Sequence, residues 1–217
     1  LGLLNQKNVF KNGNIIFKDR ELINLSQREF KKIRGNNISI IFQDPIAALN
    51  PVFKIKEQFF EVNCNGGKIS KKDSFDKACE ALLKVSIRDP ERVMESYPFQ
   101  LSGGMAQRVV ITMAMINNPD LLLADEPSTA LDVTVQNQAL DLMDDLTKVT
   151  NTAVLLITHN MGVVRRFAEK VYVIYRGVIV EEGTKSQVFP ASQEAVNRLD
   201  NRFVRGANQG DLIAGRA

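Results

Sequence analysis

Leu121-Leu122-Leu123-Ala124-Asp125-Glu126-Pro127 is an unbroken apolar run that ends in two adjacent acids and a proline. A short continuous apolar run bounded by a turn suits a strand buried on both faces, as in a parallel sheet. Two carboxylates delivered at the end of such a strand suit a nucleotide hydrolase. One acid would join a Mg²⁺ shell, and the other would orient or deprotonate the attacking water. Adjacent residues can divide these tasks because they leave the chain in different directions. An acidic turn after a core strand accounts for the same residues equally well. The run therefore decides the fold class before it decides the chemistry.

The pattern repeats outward. Val133–Val149 reads as a helix with Val135, Ala139, Leu142 and Leu146 on one side. Ala153–Thr158 is a second buried strand and ends at His159. Met161–Ala168 is a short helix, and Val171–Tyr175 with Val178–Val180 flank Arg176-Gly177 as a hairpin. Upstream, Ile38–Phe42 is a brief β-branched strand followed by Gln43, and Asp44-Pro45 and Asn50-Pro51 punctuate the next loop. Ser26 and Glu29 form a capping box for a helix through Ile33, and Asn14–Phe17 is a strand after the Asn12-Gly13 turn. Residues 55–98 look helical: Phe75, Ala78, Cys79, Leu82 and Leu83 share one face. Helices alternating with apolar strands predict an α/β fold with a mostly parallel sheet covered on both faces and an inserted helical lobe. In such sheets the working residues sit at the carboxyl ends of the strands. Gln43, Asp125, Glu126 and His159 all fall there.

A second element is Leu101-Ser102-Gly103-Gly104-Met105, followed by Gln107 and Arg108. The glycines let a phosphate approach the backbone, and the helix that follows offers free N–H groups and the positive end of its dipole. Ser102 adds a hydroxyl donor. A glycine-rich helix cap is the plainer explanation, but a cap does not require this whole run.

Composition sets the bounds. The chain has 217 residues, 28 Lys and Arg against 25 Asp and Glu, and a net charge of +3, too mild to argue for nucleic acid. Hydrophobic residues make up 44% and charged residues 24%, which is ordinary for a globular domain. No apolar run approaches the ~18 residues of a membrane span. The two cysteines, Cys64 and Cys79, lack metal-type spacing, and the single histidine excludes a histidine-cluster mechanism. The chain opens Leu1-Gly2-Leu3-Leu4, without the basic and apolar regions of a signal peptide.

Taken in order, these elements resemble the ATP-binding cassette (ABC) ATPases: Gln after a strand, the Leu101–Arg108 run, strand-Ala124-Asp125-Glu126-Pro127, Ser128-Thr129-Ala130-Leu131-Asp132, and strand-Thr158-His159. The likeness covers about Asn14 to Gly183. Within the family the wording is similar to dipeptide and oligopeptide importer ATPase subunits, notably Ile41-Phe42-Gln43-Asp44-Pro45, Leu49-Asn50-Pro51, Glu95-Ser96-Tyr97-Pro98-Phe99-Gln100-Leu101 and Thr158-His159-Asn160-Met161-Gly162-Val163-Val164. The resemblance implies a P-loop NTPase-like fold over residues 1–187, with a helical lobe at about 53–115. It implies ATP and Mg²⁺ as cofactors. Gln43 would be the Q-loop glutamine near Mg²⁺ and the attacking water. Ser102, Gly103, Gly104 and Gln107 would belong to the signature that meets the γ-phosphate held by a partner cassette. Asp125 would be the Walker B aspartate of the Mg²⁺ shell and Glu126 the catalytic glutamate. Asp132 would lie in the D-loop at the dimer interface, and His159 would clamp the γ-phosphate. The implied partners are a second ATPase subunit, homo- or heteromeric, transmembrane permease subunits and, indirectly, a substrate-binding protein, with no nucleic acid. The implied place is the cytoplasmic face of the inner membrane.

Two departures bear on activity. The family's phosphate loop, G-x-x-x-x-G-K-[ST], has no match, and Leu1–Leu4 looks like the end of the helix that follows it. The expectation is a chain that begins just past that loop and alone does not hydrolyse ATP. Residues 188–217 have no cysteine, which removes an iron–sulfur reading, and are expected to be loosely ordered. The alternatives are an inactive remnant of such a subunit, or a soluble ABC ATPase of DNA repair or translation. The latter usually carries coiled coils or zinc modules between Gln43 and the signature. The compact, Cys-pair-free stretch Asp44–Gln100 favours transport.

Overall fold

The computed structural model describes residues 12–65, 67–127, 133–189 and 210–216. The predicted elements are present with small shifts of boundary. A hairpin, β1 (Ile16–Phe17) and β2 (Arg20–Glu21), precedes α1 (Gln27–Ile33). α1 begins with the predicted capping box, in which the Ser26 Oγ accepts from the Glu29 N–H and Glu29 accepts from the Ser26 N–H. Then follow β3 (Ile38–Ile41), the helical region α2 (Pro45–Ala48), α3 (Ile55–Asn65), α4 (Lys71–Lys84) and α5 (Pro90–Glu95), a 3₁₀ turn at Pro98–Gln100, and α6 (Gly103–Met115). The chain continues through β4 (Leu121–Asp125), α7 (Val133–Thr150), β5 (Ala153–Thr158), α8 (Met161–Phe167), β6 (Lys170–Tyr175), β7 (Val178–Thr184), α9 (Lys185–Val188) and β8 (Gly210–Arg216).

The main sheet has the order β3-β4-β5-β8-β6-β7. β3, β4 and β5 pair in parallel, as their continuous apolar sequences predict. β8 runs antiparallel to both β5 and β6, and β7 antiparallel to β6, so the far half of the sheet is mixed. β6 and β7 are joined by Arg176 and Gly177, both at positive φ (50° and 78°), the geometry of a tight hairpin turn. The expectation of a loosely ordered stretch at 188–217 meets a different finding at 210–216, which lie inside the sheet as a strand. The sequence hid this strand because Gly210, Asp211, Gly215 and Arg216 are poor strand formers.

One apolar core runs from the helical lobe to the sheet. It joins Ile55, Phe59, Leu82 and Met94 to Val109 and Ile111 of α6, Leu122 of β4, and Val164 of α8. The expected face of α4 is buried at Ala78, Cys79 and Leu82, but Leu83 is 54% exposed and Ser74 is buried instead. A residue 100° further round the helix has left the apolar stripe. On α7 the buried positions include Leu140, Met143 and Thr147 as well as the expected Ala139. α6 is enclosed on several sides, with Ala106, Gln107, Val109, Val110 and Ile111 all buried. Just beyond α6, the Asn117 side chain donates to the Gly35 and Val62 carbonyls at 3.0 and 2.9 Å, tying this end to both β3 and α3. No helix among the described residues is long and apolar enough to cross a membrane.

Candidate functional site

Parallel register brings the predicted residues together. β3 and β4 pair Ile41 with Ala124, so the two strands end side by side and Gln43 arrives level with Glu126. β4 and β5 pair Asp125 with Ile157, and the Glu126 N–H donates to the Ile157 carbonyl at 2.9 Å. His159 therefore emerges on the other side of Glu126. The Gln43 Nε2 donates to the Glu126 Oε2 at 3.1 Å, and the His159 Nδ1 lies 2.5 Å from the Glu126 Oε1. Both carboxylate oxygens are thus engaged, one by each flanking strand end. Glu126 is largely covered (18% side-chain exposure), whereas His159 is open to solvent at 59%.

The backbone is set for this. Glu126 has φ of +43°, a left-handed conformation that costs an ordinary residue about 1–2 kcal/mol. The turn comes directly after Asp125, the last residue of β4, and carries Glu126 off the end of the strand. On the β5 side, the Asn160 N–H donates to the Thr158 Oγ1 at 3.1 Å. The Asn160 Oδ1 caps α8 by accepting from the Gly162 and Val163 N–H groups. His159 is held between these two fixed neighbours. Sequence reasoning missed this use of Asn160, although an Asn one residue before a helix is the ordinary signal for such a cap.

Asp125 lies exposed at the end of β4. Among the described residues no three His, Cys, Asp or Glu side chains gather as a metal cage. The expected Mg²⁺ ligands stand at neighbouring strand ends, Asp125 as the last residue of β4 and Gln43 two residues past β3, and a set of one or two protein ligands is what Mg²⁺ commonly takes.

The second group is separate. Ser102 is the N-cap of α6, with its Oγ accepting from the Met105 N–H at 3.3 Å. The first-turn amides of Gly103 and Gly104 have no carbonyl acceptor inside the helix, and both glycines are half-buried beside the exposed Ser102. A Cβ at Gly104 would meet the Val135 Cγ1 at 3.4 Å, ordinary contact. Gln107 lies elsewhere: it is 1% exposed, and its Nε2 donates to the Pro127 carbonyl at 2.5 Å. It braces the turn that carries Glu126 rather than standing at the open helix end. Arg108 donates to the Val85 carbonyl at 2.7 Å and ties α6 to the end of α4. Asp132 lies outside the described residues.

A parallel-sheet core with an inserted helical lobe, acids at a strand end and a glycine-opened helix define a nucleotide-binding cassette. Residues 1–129 match the family described as ABC transporter, and the chain belongs to that family. It is 48% identical over 180 residues to the oligopeptide transport ATP-binding protein OppD of Bacillus subtilis, covering 83% of this chain and 50% of that protein. The dipeptide transport ATP-binding protein DppD of the same organism is 46% identical over 177 residues, covering 82% of this chain and 53% of that protein. The chain thus spans about half the length of these relatives. Among solved structures, a dimeric ATP-binding cassette in a post-hydrolysis state bound to ADP and Pi superposes with a TM-score of 0.68 at 29% identity, covering 80% of this chain and 74% of the other.

Proposed function

We propose that the chain is the ATP-binding, energy-coupling part of an ABC importer for dipeptides or oligopeptides. In this reading it sits peripherally at the cytoplasmic face of the inner membrane, against permease subunits that receive substrate from a binding protein. Two cassettes sandwich ATP, each giving its strand-end group to one nucleotide and its Ser102–Gly104 helix end to the other. The observation that carries the reading is the Glu126 carboxylate, bonded by Gln43 on one side and His159 on the other.

The division of labour follows from that geometry. Glu126, aimed by its two neighbours, takes the proton of the attacking water. His159, open to solvent, contacts the terminal phosphate and reports its presence to Glu126. Mg²⁺, when bound with the nucleotide, neutralises charge on the phosphates, with Asp125 and Gln43 as its protein-side holders. Gln43 also faces the coupling surface. Next to it, Phe42 lines a groove of about 410 Å³ shared with Leu49, Phe53 and Val62, the apolar seat expected for a permease segment.

The absence of a G-x-x-x-x-G-K-[ST] run in these 217 residues favours a second reading beside the first. In it the chain offers its helix end to a complete cassette but does not turn ATP over by itself. Purified chain with Mg²⁺-ATP should show no turnover above buffer. Turnover that disappears in Glu126→Gln would overturn the second reading. Sedimentation with a complete, hydrolysis-deficient partner cassette and ATP tests the first. Association should survive Gly104→Ala, whose Cβ fits beside Val135, and fall at least about tenfold in Gly104→Asp, which sets a like charge against the phosphate. Equal association of the wild type and Gly104→Asp would sink the assignment of this helix end.

A further inference from the structure

α4, α6 and α7 border a groove of about 730 Å³ that the candidate site does not use. That size falls in the ~300–1,000 Å³ range of small-molecule sites. Its lining is mostly apolar: Met115 and Ile116 are buried, Leu142 and Leu146 half-buried, and Val149 is 85% exposed.

One amine at this groove is held in an unusual way. The Lys77 Nζ donates to the Asn117 Oδ1 at 3.1 Å. Both Asn117 side-chain N–H groups are taken by the Gly35 and Val62 carbonyls, so Oδ1 is the atom left to face Lys77. Glu80 and Asp145 share the lining, yet among the described residues neither forms an ion pair with Lys77. Lys54, Lys56 and Lys148 each hold a carboxylate. The partner of Lys77 is an uncharged oxygen, and burial alone holds its ammonium below the ordinary lysine range. The residue is nevertheless exposed, so the amine can be reached from solvent. An amide oxygen can only accept, so it takes one N–H and leaves the lone pair of the neutral amine free. A partly desolvated lysine beside apolar surface is an activated nucleophile.

We propose that Lys77 is an Nε-acylation site for acyl phosphates, with the acyl chain seated in the groove between α4, α6 and α7. The neutral amine nitrogen attacks the acyl carbon and an N–C bond forms. The bond from that carbon to the phosphate oxygen breaks, phosphate leaves with its electron pair, and the nitrogen gives one proton to water. The product is an amide that keeps a single N–H for Asn117 and has lost its charge. Its chain covers apolar lining that is otherwise open, Val149 included.

The test treats the native full chain with acetyl phosphate and, separately, with butyryl phosphate at mildly alkaline pH. Early acylation at each lysine is measured by peptide mass spectrometry. Lys77 should react at least about fivefold faster than Lys72 and Lys84, exposed lysines of the same helix. That lead should vanish in urea, where no fold desolvates the amine. It should be larger with butyryl phosphate, whose longer chain reaches the apolar lining. Lys77 reacting no faster than Lys72 or Lys84, or keeping its lead in urea, overturns the activated amine. A lead no larger with butyryl than with acetyl phosphate overturns the groove as the acyl seat.

Discussion

Replacing Gln107 separates a residue that braces the site from one that touches nucleotide. Its side chain is 1% exposed and its Nε2 donates to the carbonyl of Pro127, which is itself buried. Gln107→Ala leaves that carbonyl without its donor, a cost of about 1–3 kcal/mol. It also removes one buried methylene and an amide, adding about 1 kcal/mol from lost burial and the resulting void. The sum is about 2–4 kcal/mol. Gln107→Leu keeps most of the volume and also removes an Oε1 that has no partner among the described residues, so its cost should fall to about 1–2 kcal/mol. Urea denaturation of the three proteins measures both values from midpoint shifts at constant slope. In the assembled transporter, turnover should fall because the Glu126–Pro127 turn loosens, while ATP-dependent association changes less. Neutral stability in both variants, together with abolished ATP-dependent association, would refute the bracing role and return Gln107 to the nucleotide-contacting group.

Glu126→Gln in the assembled transporter should preserve folding within about 0.5 kcal/mol and lower turnover by about 10²–10⁴-fold, read from phosphate release, because the general base is lost while the side-chain shape remains. Burial pushes the Cys79 thiol up to about 11 and the side chain is covered, whereas Cys64 is exposed. One equivalent of a thiol reagent should therefore add to the native chain at pH 8, at Cys64 by peptide mapping, and a second only on unfolding. Hydrogen bonds from Asn37 and then Lys18 hold the Asp120 carboxyl below its ordinary range. A lowered folded value means that its stabilisation is full above the ordinary carboxylate value and fades as pH falls through the lowered one. Asp120→Asn should flatten the acid side of the stability profile, and an unchanged profile would argue against this contribution.

Most of the parallel half of the sheet was legible because buried strands are written as unbroken apolar runs. Ile38–Ile41, Leu121–Asp125 and Ala153–Thr158 differ from expectation by no more than one residue at either end. The strand-end trio was legible for the same reason: once the strands are known, parallel register places Gln43, Glu126 and His159 side by side. The fate of Gln107 was not. A glutamine beside a glycine-rich helix start looks the same in sequence whether its amide faces a ligand or a carbonyl twenty residues away. The strand Gly210–Arg216 was invisible because its pairing partners are distant and its own residues argue against a strand. The exposure of Leu83 shows the narrower limit of periodicity, which identifies a stripe but not where its edge falls.

The enclosure of α6 also has a mechanical meaning. A helix of thirteen residues spans about 20 Å. Packed on several sides by close-fitting side chains, it has little room to bend and is displaced as a rigid rod. Its outer tip is the Ser102–Gly104 turn, its middle grips Pro127 through Gln107, and the residue just past its inner tip, Asn117, holds the Gly35 and Val62 carbonyls. A load applied at the tip is therefore delivered at three attachments together: the Glu126–Pro127 turn, the approach to β3 and the groove-side helix α3. The rod ties these places into one mechanical unit, so that none of them shifts alone without breaking one of its hydrogen bonds.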